Sequence, residues 1–192
     1  MREITFDIET ANILPSLARQ DVTQLDLAVV AIHDSETGEF SSYSKEQLSS
    51  LWPIIESADM LIGYNSNSFD IPLLNHYYPG DLTKIRSLDL MVEVQNALGR
   101  RIRLQSLAEG TLKVGKSGDG LKAVEWWQQG LYDKVREYCI QDVRITRQIF
   151  DYAREHKSLK YKDLKDTREI KIDTSGWGAS DTKSAFTHTL QL

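Results

Sequence analysis

The first strand constrains the fold more than any other stretch of the chain. In MREITFDIET, Ile4, Phe6 and Ile8 alternate with Thr5, Asp7 and Glu9, the period-two pattern of a strand with one apolar face. Side chains two apart on a strand share a face, so Asp7 and Glu9 lie side by side. Carboxylates held that close repel unless something positive lies between them. Facing water is one resolution, and holding a cation is the other.

The remaining elements follow from similar signals. LDLAVVAIHD reads as a second strand, SETGE as a turn and EFSSYS as a third strand, which makes a hairpin. Ser44 and Gln47 form a capping box that opens a helix over roughly 45–57, with Pro53 arguing for a kink or a broken end. DMLIGYN is a buried strand, FDIPLLNHYYPG a short helix, and KIRSLDLM a strand running into a helix. Residues 104–129 suggest short helices interrupted by VGKSGDG. Leu131, Val135, Tyr138, Ile145 and Ile149 recur at helical spacing and define the longest helix, to about His156. LKYKDLKDTREIKID alternates like a terminal hairpin. The expected fold class is α/β with a mixed sheet, because the first hairpin must be antiparallel. The expected division is a domain over 1–155, with a hairpin and a Gly/Ser/Thr-rich tail over 156–192 packed on it.

Charge sharpens this picture. Residues 1–80 carry three basic side chains against twelve acidic ones, whereas 99–122 hold six Lys or Arg and only Glu109 and Asp119 opposing them. An acidic half beside a basic stripe suits a protein that binds cations at one place and phosphates next to it. The longest fully apolar run is LAVVAI, too short to span a membrane. With Cys139 as the single cysteine and a strand starting within two residues of the N-terminus, the expectation is a cytoplasmic protein without a signal peptide.

Two further acids join Asp7 and Glu9. In GYNSNSFDIPLL, Asp70 follows a buried strand and begins a helix, where an acid also suits the helix dipole. In YCIQD, Tyr138 and Asp142 are one helical turn apart and share the apolar stripe. An acid there is costly unless it pairs with an arginine or holds a metal. No His or Cys cluster accompanies the four carboxylates, which argues against zinc. All-oxygen ligation suits Mg2+ or Mn2+, and two such ions about 3.5–4 Å apart can activate a water and stabilise a departing phosphodiester oxygen.

FDIET, GYNSNSFD and Tyr138 with Asp142, in that order, resemble the three motifs of the DEDDy 3'–5' exonucleases of the ribonuclease H-like, DnaQ-like superfamily. The second motif is similar to that of the proofreading exonuclease domains of family B DNA polymerases. The resemblance implies a five-stranded mixed sheet with helices on both faces, the first three strands antiparallel to their neighbours. It implies that Asp7 bridges two metals, that Glu9 and Asp142 complete the first metal site, and that Asp70 supports the second through water. Tyr138 would orient the attacking water, Asn65 would contact the terminal nucleotide and Phe69 would flank the site. Glu137 stands where a related subgroup has histidine, so the tyrosine subgroup fits. The implied activity is hydrolysis at 3' ends of single-stranded DNA, in preference to RNA, releasing nucleoside 5'-monophosphates, with a polymerase or helicase as a possible companion. The alternatives are a nucleic-acid-binding module with weak or no catalysis, or a structure-specific nuclease of the same superfamily.

Other motifs compete. GTLKVGKS, 110–117, has P-loop spacing, but LQSLAE before it reads as helix, GDG after it is a poor helix start, and no apolar run ending in Asp follows. A nucleotide triphosphatase is therefore disfavoured. Trp126 and Trp127 could stack on bases, though adjacent aromatics in a helix are more often one core and one surface residue. Arg100, Arg101 and Arg103 could grip phosphates or be solvated. His33, His76, His156 and His188 have no ligand spacing.

Overall fold

The alternation at the N-terminus becomes β1, Glu3–Thr10, in the computed structural model, which describes residues 1–14, 21–115 and 120–178. β2, Leu27–Asp34, and β3, Phe40–Ser44, run antiparallel to their neighbours. β4, Met60–Gly63, and β5, Ser87–Asp89, run parallel on the other side of β1. The sheet order β3-β2-β1-β4-β5 puts the first strand at the centre, the junction between the antiparallel and parallel halves.

Period two sends each strand's side chains to opposite faces. Ile4, Phe6 and Ile8 pack with Leu51 and Ile55 of α1, Leu48–Glu56, and with Leu73 and Leu74 of α2, Asp70–Tyr77. The start of α1 follows the expected cap, the Ser44 N–H donating to Gln47 Oε1 at 3.0 Å. A 3-10 turn at Lys45–Gln47 comes first, and the helix then continues through Pro53 to Glu56. Against the opposite face lies α6, Tyr132–His156, whose Val135, Cys139 and Val143 meet Val29 and Ala31 of β2. Further along α6, Ile145, Ile149 and Phe150 join Met60 and Ile62 of β4.

The buried stripe of α6 differs from the sequence expectation at its start. Leu131 is 37 % exposed, because it sits at the N-cap ahead of the first turn rather than over the sheet. Cys139, outside the stripe read from the sequence, is fully buried, as a small apolar side chain can be, while Tyr138 and Asp142 on that stripe are half-buried.

Three more helices complete this face: α3, Leu90–Leu98, α4, Leu104–Leu107, and α5, Gly120–Gln128. Between α4 and α5, Ala108–Leu112 widens into a π turn that lays Gly110 on the C-terminal hairpin. That hairpin is β6, Ser158–Asp163, paired with β7, Asp166–Lys171. A Cβ at Gly110 would meet the Lys160 carbonyl oxygen at 2.5 Å, so only glycine allows the approach. Leu159, Tyr161, Ile170 and Trp177 share the core with α6, and Trp177 stacks on Phe150 at 5.2 Å.

The P-loop spacing lacks its required setting. The chain before Gly110 is helical rather than a strand, and Gly110 faces β6 instead of an open cradle. Lys116 and Ser117, which complete that motif, lie outside the described residues, as do His188 and the rest of the tail from 179. Among the described residues, no helix is long and apolar enough to cross a membrane.

Candidate metal centre and nuclease site

The alternation that buries Ile4, Phe6 and Ile8 turns Asp7 and Glu9 toward α6. Asp142 comes from that helix, with Tyr138 one turn before it. One carboxylate oxygen from each of Asp7, Glu9 and Asp142 lies within 4.8 Å of the other two. Asp70 arrives by a different route, as the first residue of α2 after the loop that follows β4. β4 pairs with β1 only over Glu3–Thr5. Beyond that point the Ile8 N–H donates to the Asp70 carboxylate instead.

The electrostatics are those of a site awaiting positive charge. Burial, then Asp70, Asp142 and Glu9, push the Asp7 carboxyl well above its ordinary range, against weak opposition from the Cys139 thiol. Glu9 is raised by burial, then by Asp142 and Asp70. Asp70 is pushed up to about 7, chiefly by burial. Acids that raise one another in this way gain most from a shared cation, and all-oxygen donors match Mg2+ or Mn2+. The residues present therefore fit divalent-ion binding: Asp7, Glu9 and Asp142 as a cluster, with Asp70 beside it.

Tyr138 hydrogen-bonds Asp142, and its hydroxyl is raised by burial and then by Asp142 and Glu9, so it stays a phenol at neutral pH. Its ring meets Trp126 edge-on at 6.0 Å. Trp127 instead packs on Tyr132 at 4.5 Å, and both tryptophans are half-buried rather than divided between core and surface.

A cleft of about 470 Å³ contains the four acids and Tyr138. Asn65 and Phe69 also line it, at the positions the second motif assigned to substrate contact. The three arginines are placed elsewhere. Arg100 reaches Asp163 at 3.4 Å and lies over the Tyr161 ring, toward the C-terminal hairpin. Arg101 donates to Gln95 Oε1 at 3.4 Å, and Arg103 is exposed ahead of α4. Their link to the cleft is indirect: Tyr64, on the cleft wall, donates its hydroxyl to the Ile102 carbonyl.

Sequence reading missed four contributors. Ile13 and Leu121 line the cleft while 57 % and 58 % exposed, an apolar lip that depends on two distant segments meeting. Cys139, fully buried, donates its thiol to the Asp7 carbonyl at 3.4 Å and stands 3.8 Å from Asp7 Oδ2. Asp89 ends β5 and fastens the Asn65 loop; the strand-to-helix junction in SLDLM carries a cap signal and nothing more.

Comparison with known proteins agrees with this fold. The family B DNA polymerase from the hyperthermophilic archaeon Pyrobaculum calidifontis has a similar structure, with a TM-score of 0.63 and 19 % identity. The match covers 79 % of this chain and 24 % of the polymerase, so the chain spans about a quarter of that protein's length. No curated protein matches the sequence. The RNase H superfamily model matches residues 4–154, nearly the whole of the sheet and its helices. The five-stranded mixed sheet, its acidic centre and that match together place the chain in the RNase H superfamily.

Proposed function

We propose that the protein is a two-metal-ion 3'–5' exonuclease that shortens single-stranded nucleic acid, DNA in preference to RNA, and releases nucleoside 5'-monophosphates. The observation that carries this reading is the meeting of Asp7, Glu9 and Asp142 oxygens within 4.8 Å, with Tyr138 bonded to Asp142 at its side. Divalent ions supply Lewis acidity toward the scissile phosphate when bound.

The chain's own groups do the rest. Asp7 lies centrally and is influenced by the three other acids, which suits a bridging ligand. Glu9 and Asp142 would hold the first ion with it, and Asp70 would support the second. The Tyr138 hydroxyl keeps its proton and hydrogen-bonds, so it orients the attacking water rather than deprotonating it. Asn65 and Phe69 hold the terminal nucleotide, and the Ile13 and Leu121 lip supplies apolar surface for an unpaired base. Arg100, Arg101 and Arg103, outside the cleft, would meet phosphates further along the strand, Arg100 by giving up its pair with Asp163 and Arg101 its bond to Gln95. A polymerase or helicase that delivers unpaired 3' ends is the fitting companion.

The test is incubation of 5'-labelled single-stranded DNA and RNA with Mg2+ or Mn2+, comparing wild type with Asp7→Ala. A ladder shortening from the 3' end, absent in the variant, supports the reading. Cleavage of a circular single strand, or an equal ladder in both proteins, overturns it.

A further inference from the structure

The loop between β4 and α2 carries Asn65 and Phe69 to the cleft and ends at Asp70. Its inner side is fastened by β5. Asp89, 2 % exposed, accepts the backbone N–H of Asn65 at 2.8 Å and of Asn67 at 3.0 Å. It also caps α3 through the Met91 N–H at 3.0 Å. Two residues earlier on the same strand face, Ser87 Oγ donates to Asn67 Oδ1 at 2.8 Å.

A helix cap needs only one of those bonds. The two others cross to a separate element and hold it in an unfavourable backbone state. Asn65 has φ 65, a left-handed conformation that asparagine tolerates better than most residues but does not prefer. Without the carboxylate its N–H would lose its acceptor and the loop could relax. The strand register explains the reach: Asp89 pairs with Gly63, so its side chain lies where the loop leaves β4.

We infer that Asp89 is a positioning residue for substrate recognition, assisted by Ser87: it holds Asn65 and Phe69 in the shape that receives the terminal nucleotide. The inference rests on the exonuclease reading for its functional half. The Asp7, Glu9 and Asp142 cluster is built from β1 and α6, and the hydrogen bonds of Asp89 go to Asn65, Asn67 and Met91 instead; Asp89 acts on Asp70 only through its charge, while Asp70 has its own tie to the Ile8 N–H. Loss of the clamp therefore acts on nucleotide binding more than on metal binding or turnover.

Asp89→Asn replaces one acceptor oxygen with an NH2 group that faces N–H donors. Amide exchange at Asn65 and Asn67 should accelerate about a hundredfold as the loop opens. KM for a single-stranded oligonucleotide should rise about tenfold, with kcat and Mn2+ affinity each within about threefold. A purely structural loss would lower the folded fraction and kcat while leaving KM in place. Ser87→Ala, a gentler variant that keeps the cap of α3, should raise KM about threefold in the same pattern. Unchanged exchange in Asp89→Asn, or an unmoved KM in both variants, overturns the inference. Exchange requires no substrate, so a wild-type protein that shortens no strand would defeat the exonuclease reading while the clamp itself is still tested.

Discussion

At one end of β1, Glu3 is 4 % exposed and accepts from Arg147 and Arg154 of α6, each at 2.8 Å. At the other end of the same strand, Glu9 is 8 % exposed and meets Asp142 from the same helix. Both carboxylates face α6, and burying either as a charge is costly. Asp151 extends the first end into a network, accepting from Arg147 at 2.9 Å. The second end collects acid upon acid. One strand and one helix thus supply their own cations near the N-terminus of β1 and leave the other end to a cation from solution. Repulsion tolerated at one end, and neutralised a few residues away, marks where chemistry rather than stability governs residue choice.

The largest effect should come from removing the centre of the unneutralised end. Asp7→Asn should lower turnover by roughly a thousandfold or more. The same change should raise the melting temperature of the metal-free protein, because it removes a carboxyl that burial and neighbouring acids penalise. A melting temperature that falls in the metal-free variant would break the comparison. Tyr138→Phe should slow turnover about a hundredfold while calorimetry finds Mn2+ binding retained. Unchanged turnover would remove the hydroxyl from the mechanism.

The reciprocal change lies at the other end. Glu3→Gln leaves Arg147 and Arg154 facing a neutral group and should destabilise the fold by about 2 kcal/mol in denaturant titration. Turnover per folded molecule should stay at the wild-type value, and a catalytic loss would show that the ends are not independent.

Acidity provides a finer probe. The Asp70 carboxyl moves from an ordinary 3.8 to about 7 on folding. Between those values the folded chain holds a proton that the unfolded chain has released. Stability from this group is therefore fullest below the lower value and is lost as pH rises through the upper one. Asp7 and Glu9 shift in the same direction. Melting of the metal-free protein should accordingly drop from about pH 5 to about pH 8, and Mn2+ should offset the drop most at the alkaline end. A flat profile would count against the cluster. The smallest effect belongs to Arg100→Ala, whose half-exposed pair with Asp163 should be worth less than about 0.5 kcal/mol. A marked rise in KM there would reassign that arginine to the substrate.

Much of this was legible in the sequence wherever local pattern controlled the outcome. Strict alternation placed β1, the apolar run DMLIG became β4, and turn residues set the hairpin between β2 and β3. Asp7 and Glu9 drew attention by sharing one strand face and Asp142 by standing on an apolar helix stripe, whereas Asp70 suits a helix start and gained meaning only in company with the others. What escaped depended on distant chain segments. Ile13 and Leu121 are ordinary hydrophobics until they meet across the cleft. Arg100 looks like any basic residue until β6 brings Asp163 to it. Cys139 stood out in the sequence only as the single cysteine, and the docking of α6 on β1 puts its thiol against Asp7. Leu131 misled because helical spacing says nothing about where the sheet beneath the helix ends.

Asp7 and Cys139, in direct contact, stand 132 positions apart along the chain. Ions seated beside them would act as a staple between the central strand of the sheet and the long helix α6, closing a very large loop. Such a staple adds resistance to unfolding in proportion to the logarithm of ion concentration. Starvation for divalent cations would then leave the fold easier for proteases to open.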